Sequence, residues 1–123
     1  GLSPDGCSTY MLPRFIGMRR AKELMLTNRV LTAEEALSYD IVDQVVADDE
    51  LAEAAEAQVR AFTTGPTQAY GAVKRLIDGT FKESLETQME LESRSIASLA
   101  AAPDGREGIG AFVEKRKPTF KGI

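Results

Sequence analysis

Residues 1–46 decide the fold, and they read GLSPDGCSTYMLPRFIGMRRAKELMLTNRVLTAEEALSYDIVDQVV. The SPDG at their start is a turn signal, because proline presets the backbone and an Asp-Gly pair follows it. We therefore predict a helix just after this turn, with Ser8 or Thr9 as its cap. Gly17 marks a break, and a second short helix should follow the break.

A capping box follows further along the same stretch. Thr32 precedes Glu35 by three residues, and this spacing predicts reciprocal bonds between their side chains and backbone N–H groups. The helix that begins there should carry Ala36, Leu37 and Tyr39. Residues 41–46 are predicted to form a short strand or an extended segment.

Residues 47–123 have helical periodicity throughout. One helix should end at Gly65, the next should run from Pro66 to Gly79, and another should follow it. A last helix should run from near Asp104 to Phe112, leaving a basic tail over 115–123. We interpret the apolar stripes of the first three helices as core: Leu51, Ala55, Val59 and Phe62; Ala69, Tyr70, Val73 and Ile77; Leu85, Met89, Ile96 and Leu99.

Composition excludes several classes of protein. The 123 residues include no histidine and a single cysteine, so neither a zinc cluster nor a Ser-His-Asp triad fits within them, and no metal site is expected. A net charge of −4 argues against a nucleic-acid binder. No apolar run reaches the roughly 20 residues that cross a bilayer, and the start lacks the features of a signal peptide. We therefore expect a cytoplasmic location and no membrane partner.

Two groups of positive residues allow two interpretations. They are solvated helix ends, where positive charge complements the helix dipole, or they bind an anionic ligand such as a phosphate. The groups are Arg14, Arg19, Arg20 and Lys22 near the start, and Lys115, Arg116, Lys117 and Lys121 at the end.

Residues 1–46 resemble, nearly position by position, a segment of the enoyl-CoA hydratase/isomerase (crotonase) family. In that family a Gly-rich turn opens an active-site helix, and a Leu-Pro-Arg step, a glycine and a basic helix follow. A T-G-x-x-L-x-A-E-E-A stretch comes next, and here residues 27–36 occupy its place as TNRVLTAEEA. The end of the chain, DGREGIGAFVEKRKPTFKG, resembles the family's C-terminal signature. Within the family, the whole chain most resembles 1,2-epoxyphenylacetyl-CoA isomerase-like and 4-chlorobenzoyl-CoA dehalogenase-like proteins.

The resemblance implies that this mostly α chain is the C-terminal helical part of the α/β ClpP/crotonase-like spiral. Residues 1–46 would end the spiral core and carry the active-site helix, whereas residues 47–123 would form a helical trimerisation or lid region. In the family, the two backbone N–H groups that hold the thioester oxygen lie in the N-terminal half. The chain alone would therefore be an incomplete catalyst, and its partners would be acyl-CoA and copies of itself in a trimer or hexamer.

Asp5 is the catalytic candidate that the resemblance implies. Isomerase-like and dehalogenase-like members place an aspartate in the turn before the active-site helix, where it transfers a proton or attacks as a nucleophile. The alternative is that Asp5 merely belongs to the turn or caps the helix. The second glutamate that hydratases of the family use would precede residue 1.

Phe112 and Lys115 match family positions that reach the adenine and phosphates of coenzyme A, bound largely by a neighbouring subunit. The alternative is that Phe112 anchors the last helix in a core and that Lys115 is a solvated charge. Two residues depart from the family pattern, because Cys7 and Asp40 each replace a usual glycine. Asp40 tolerates the left-handed backbone conformation better than most residues, so the turn there should persist.

Three hypotheses about function remain. The first is an acyl-CoA isomerase or hydratase of fatty acid metabolism that works through a thioester enolate, with acyl-CoA as substrate and no covalently bound cofactor. The second is a non-catalytic helical module that mediates oligomerisation. The third is an aryl-CoA dehalogenase-like enzyme, which Asp5 and the stretches GMRRA and ELMLTNR favour.

Overall fold

The computed structural model describes residues 1–123 and consists of six α-helices without a β-strand. This confirms the mostly α prediction. A strand over residues 41–46 was the wrong alternative, because a strand needs a second strand to pair with and the chain supplies none. No helix is both long and apolar enough to span a bilayer. The helices are α1 (Ser8–Thr27), α2 (Ala33–Ser38), α3 (Leu51–Thr63), α4 (Thr67–Gly79), α5 (Leu85–Ala101) and α6 (Pro103–Glu114).

The chain divides into two compact units, Gly1–Leu51 and Ala52–Ile123. We call them the N-terminal unit and the C-terminal unit. The sequence predicted a boundary after residue 46, five residues earlier. The roles predicted for the two segments stay predictions.

The start of α1 differs from its prediction. Cys7, with a left-handed backbone at φ 61° and ψ 11°, is the N-cap, and no side chain caps the helix. Ser8 lies one residue inside the helix, and its hydroxyl donates back to the Asp5 carbonyl at 2.7 Å. The predicted Ser8 or Thr9 cap was therefore wrong, because the left-handed turn begins the helix one residue earlier.

Gly17 breaks α1, as predicted. Its φ of 80° and ψ of 156° are non-helical, and this conformation is open almost exclusively to glycine. The break separates two helical segments that bury Ile16 on one side and Ala21 and Leu24 on the other. These three residues form the core of the N-terminal unit, and four partly buried side chains pack against it: Leu12, Leu31, Tyr39 and Ile41.

Helix α2 has both predicted ends. The Thr32 hydroxyl accepts from the Glu35 N–H at 3.2 Å, and the Glu35 carboxylate accepts from the Thr32 N–H at 2.9 Å, which completes the capping box. At the other end Asp40 is left-handed at φ 58°, and the Ile41 N–H donates to the Ala36 carbonyl at 2.9 Å. Asp40 thus closes the helix as the family's glycine would.

In the C-terminal unit, α4 packs on α5 and α5 packs on α6. The Phe62 ring at the end of α3 meets the Tyr70 ring on α4 edge to face, with centroids 5.9 Å apart. Gly65 lies between these helices, under the Tyr70 ring, where a Cβ would overlap the ring. The predicted helix end there is confirmed within two residues.

The prediction that the apolar stripes of α3, α4 and α5 form a core was wrong for this chain. Only Ala72 and Ala111 are buried hydrophobic residues in the C-terminal unit. An amphipathic helix buries its apolar face only where another element packs on it, and no element of this chain packs over most of these stripes. The exposed large side chains of the predicted stripes are Leu51, Val59, Phe62, Tyr70, Val73, Ile77, Leu85, Met89 and Ile96.

Candidate functional site

Asp5 lies in the turn before α1, exposed to solvent. Its main-chain carbonyl accepts from the Ser8 N–H at 3.1 Å and from the Ser8 hydroxyl at 2.7 Å. Its carboxylate has neither a hydrogen bond nor an ion pair within the chain. Because Cys7 is the N-cap and no side chain caps α1, the structure does not support the alternative that Asp5 caps the helix. The carboxylate is therefore available for contact with another molecule.

The turn itself consists of two left-handed residues. Gly6 has φ 58° and Cys7 has φ 61°. A left-handed conformation costs a non-glycine residue about 1–2 kcal/mol, which gives a physical reason for the family's preference for glycine at the position of Cys7. The Cys7 side chain is exposed, two residues after Asp5 in sequence, and forms no disulfide.

Phe112 and Lys115 lie at the C-terminal end of α6. The Phe112 side chain is 85% exposed, so it is not a core anchor within this chain. Lys115 is left-handed at φ 55° and ψ 36°, and the helix closes around it: its N–H donates to the Phe112 carbonyl at 3.3 Å, and the Arg116 N–H donates to the Ala111 carbonyl at 3.0 Å. Lys115 forms no ion pair within the chain. An exposed aromatic ring and an unpaired ammonium thus share one helix end.

The C-terminal tail is folded back along α6, which the sequence did not predict. Asp104, only 6% exposed, accepts from the Lys121 N–H at 2.8 Å and from the Gly122 N–H at 2.7 Å. The Asp104 N–H in turn donates to the Ile123 carbonyl at 3.1 Å. These three bonds hold the end of the chain against the first turn of α6.

Glu107 makes the second attachment of the tail. Its carboxylate accepts from the Arg116 guanidinium at 2.6 and 2.9 Å and from the Thr119 N–H at 2.8 Å. The bond from Arg116, followed by that from Thr119, lowers the pKa of Glu107 from 4.5 to about 2. The bonds to Glu107 and Glu114 raise the pKa of Arg116 above its usual value.

We expect the attachment of the tail to weaken in acid. A carboxylate with a depressed pKa stabilises the fold fully above its unfolded-state pKa, and this contribution disappears as the pH falls through its folded-state pKa. For Glu107 the loss should therefore occur between about pH 4.5 and about pH 2. The chemical shift of the Thr119 amide proton, followed through this range, measures it. Glu107→Gln should abolish the titration, and a midpoint that stays near pH 4.5 in the unsubstituted protein would contradict the prediction.

The basic group near the start is partly engaged within the N-terminal unit. Arg14 stacks on the Tyr10 ring at 3.5 Å, and Arg20 stacks on the Tyr39 ring at 4.4 Å. These contacts favour a structural role for Arg14 and Arg20 over phosphate binding.

Arg29, which the sequence analysis did not single out, holds the same unit together. Its guanidinium forms ion pairs with Glu23 at 2.9 Å and with Glu35 at 3.2 Å, and it donates to the Tyr39 hydroxyl at 3.2 Å. The bond to Glu23 is the largest cause of the raised pKa of Arg29. The capping glutamate of α2 is thereby tied to the end of α1.

The predicted site residues therefore belong to different units. Asp5 lies in the N-terminal unit, and Phe112 and Lys115 lie together in the C-terminal unit. No group of three or more His, Cys, Asp or Glu side chains is arranged to hold a metal ion.

Comparison with known proteins identifies the family. The family model described as enoyl-CoA hydratase/isomerase matches residues 1–123. The chain belongs to this family. The fold agrees, because a putative enoyl-CoA hydratase/isomerase from Mycobacterium abscessus superimposes with a TM-score of 0.94 at 31% identity, covering 100% of this chain and 47% of that one.

Two relatives within the enoyl-CoA hydratase/isomerase family bear on the chemistry. The 1,2-epoxyphenylacetyl-CoA isomerase of Escherichia coli K12 is 38% identical over 122 residues, which are 99% of this chain and 47% of that protein. The 4-chlorobenzoyl coenzyme A dehalogenase-1 of an Arthrobacter species is 32% identical over 115 residues, 94% of this chain and 42% of that protein. The chain thus spans about half the length of the relatives it matches.

Proposed function

We propose that this chain supplies the C-terminal part of an acyl-CoA isomerase or hydratase that works through a thioester enolate. The observation that carries the proposal is the exposed, unpartnered carboxylate of Asp5 in the turn that opens α1 of an enoyl-CoA hydratase/isomerase family chain. A carboxylate with no partner in the chain is able to accept a proton from a bound molecule. The isomerase relative from Escherichia coli supports the same assignment.

In this proposal Asp5 removes a proton from the carbon beside the thioester. The electron pair of the broken C–H bond moves onto the thioester oxygen, and the proton returns from Asp5 to another carbon as the double bond shifts. Negative charge on that oxygen needs N–H donors, and removing one such donor costs about 3 kcal/mol or more of barrier. We assign these donors to sequence outside this chain, so the chain by itself is an incomplete catalyst.

Phe112 and Lys115 are proposed to contact the nucleotide of acyl-CoA. The exposed ring offers a surface on which adenine can stack, and the ammonium offers a charge for phosphate. Both lie in the C-terminal unit, whereas Asp5 lies in the N-terminal unit. We propose that the ligand they serve belongs to a neighbouring copy in a homotrimer or hexamer, and that the protein acts in the cytoplasm.

Native mass spectrometry tests the proposed function. The protein is purified from its native source, so that every segment that accompanies this chain in the cell is present. It is then measured with and without a hydrolysis-resistant acyl-CoA analogue. We expect an oligomer that gains the mass of the analogue. An oligomer that never gains this mass would contradict the enzyme assignment and leave the oligomerisation module as the better interpretation.

Specific observations favour each of the two alternatives. The exposed apolar stripes of α3, α4 and α5 are what a non-catalytic oligomerisation module would present. The Arthrobacter relative supports an aryl-CoA dehalogenase-like enzyme, in which Asp5 would attack as a nucleophile. Release of chloride from 4-chlorobenzoyl-CoA distinguishes this enzyme from an isomerase or hydratase.

A further inference from the structure

The turn that ends α6 is held by the ion pairs of Arg116, of which the one to Glu107 reaches back along the helix. Arg116 follows directly after Lys115, and its guanidinium reaches back to Glu107 with two bonds, Nη1 to Oε1 at 2.6 Å and Nη2 to Oε2 at 2.9 Å. A pair with two parallel bonds restricts the orientation of the guanidinium as well as its distance. The chain is therefore restrained one residue beyond Lys115.

The same carboxylate keeps the tail away from the end of the helix. Glu107 also accepts from the Thr119 N–H at 2.8 Å, while Asp104 accepts from the Lys121 and Gly122 N–H groups. The tail thus runs back toward the first turn of α6. Phe112, near the other end of α6, is uncovered.

The charges at this helix end are divided between two residues. The Arg116 guanidinium is matched by Glu107 and by Glu114, whose carboxylate accepts from Nε at 2.6 Å. Lys115 has no matching carboxylate in the chain. The ammonium of Lys115 is therefore the charge that this turn offers to an anion, and Arg116 is already occupied.

We propose that Arg116, held by Glu107, is a positioning residue for the coenzyme A nucleotide and acts through Lys115 without touching the ligand. The inference rests on the proposed function, because it presupposes that Lys115 contacts coenzyme A. The left-handed backbone of Lys115 is unfavourable for a non-glycine residue, and the bonds of Arg116 to Glu107 add to the main-chain bonds that hold it. If the Arg116–Glu107 pair is lost, the turn should no longer hold the Lys115 side chain in one orientation.

Substitution of Arg116 in the protein expressed from its complete reading frame tests the proposal. Arg116→Gln should weaken coenzyme A binding about tenfold by calorimetry and raise KM similarly, with kcat at saturating acyl-CoA within about twofold. Arg116→Lys keeps the charge but lacks the two-pronged geometry, so it should behave like Arg116→Gln. Lys82→Gln, which removes a positive charge from an exposed residue of the same unit and leaves the pair intact, is the matched control and should bind normally. Full recovery of binding in Arg116→Lys would overturn the proposal.

A Lys115→Met background separates positioning from a general structural effect. If Arg116 acts through Lys115, Arg116→Gln should cause no further loss of coenzyme A binding once Lys115→Met is present. An undiminished tenfold loss in that background would show that Arg116 acts independently and would overturn the inference. If Lys115→Met alone leaves binding unchanged, the proposed nucleotide contact fails, and the inference fails with it. If Lys115→Met weakens binding and Arg116→Gln does not, only the inference fails.

Discussion

Replacing Asp5 by asparagine is expected to slow proton exchange at the carbon beside the thioester by about 10²–10⁴-fold. Asparagine has nearly the same size and shape as aspartate, but its amide cannot take up the proton as the carboxylate does. The Asp5 carboxylate has no partner within the chain, so its loss breaks no bond of the turn. The measurement is deuterium incorporation into an acyl-CoA substrate in heavy water, with the protein expressed from its complete reading frame.

Asp43→Asn is the matched control for this experiment. Asp43 is an exposed acid of the same unit, outside the helices, and its substitution changes the net charge by the same amount. Exchange should continue at the unsubstituted rate in this variant, and both variants should bind the acyl-CoA analogue. If Asp5→Asn exchanges deuterium as fast as Asp43→Asn, another group is the base and the assignment of Asp5 is wrong.

Gly105→Ala should destabilise the C-terminal unit by about 1–3 kcal/mol, the usual cost of overpacking. A Cβ at Gly105 would overlap the Leu99 carbonyl oxygen and would lie 2.8 Å from the Leu99 carbonyl carbon and 3.0 Å from the Ala100 Cα. These are backbone atoms of α5, so no side chain can move aside to make room. The corner between α5 and α6 would have to open, and Asp104, next to Gly105, would lose its alignment with the tail.

Gly110→Ala on the same helix should instead stabilise the C-terminal unit. A Cβ at Gly110 meets nothing within 4 Å, and alanine is favoured over glycine in a helix interior by about 1 kcal/mol. Chemical denaturation of the two variants beside the unsubstituted protein measures both effects. If Gly105→Ala raises the free energy of unfolding, or if both variants change it equally, α5 and α6 do not approach each other as closely as in the structure.

Features that depend on neighbours in sequence were predictable. The capping box of Thr32 and Glu35, the break at Gly17 and the left-handed turn at Asp40 each involve residues no more than five positions apart. Local backbone preferences decide such features, because the interacting groups meet whenever the helix forms. The start of α1 was the exception, since no rule for a cap residue anticipates a cysteine in the left-handed conformation.

The ion pair and hydrogen bonds that Glu107 and Asp104 form with the C-terminal tail were not predictable in the same way. Arg116 and Thr119 lie 9 and 12 residues from Glu107, and Gly122 lies 18 residues from Asp104. Many acids and bases in the chain have comparable separations, so spacing alone does not select these pairs. The sequence marked the cluster from Lys115 to Lys121 as basic, but it could not distinguish the occupied Arg116 from the unpaired Lys115.

The sequence by itself determined the mostly helical architecture, most of the helix boundaries and the resemblance to the enoyl-CoA hydratase/isomerase family. These follow from periodicity, capping residues and glycines, which act over a few residues. Only the tertiary structure decided that the stripes of α3, α4 and α5 are exposed, that Phe112 is uncovered and that the tail returns along α6. The physical reason is that periodicity shows which side chains share a helix face, whereas burial and ion pairing depend on what folds against that face.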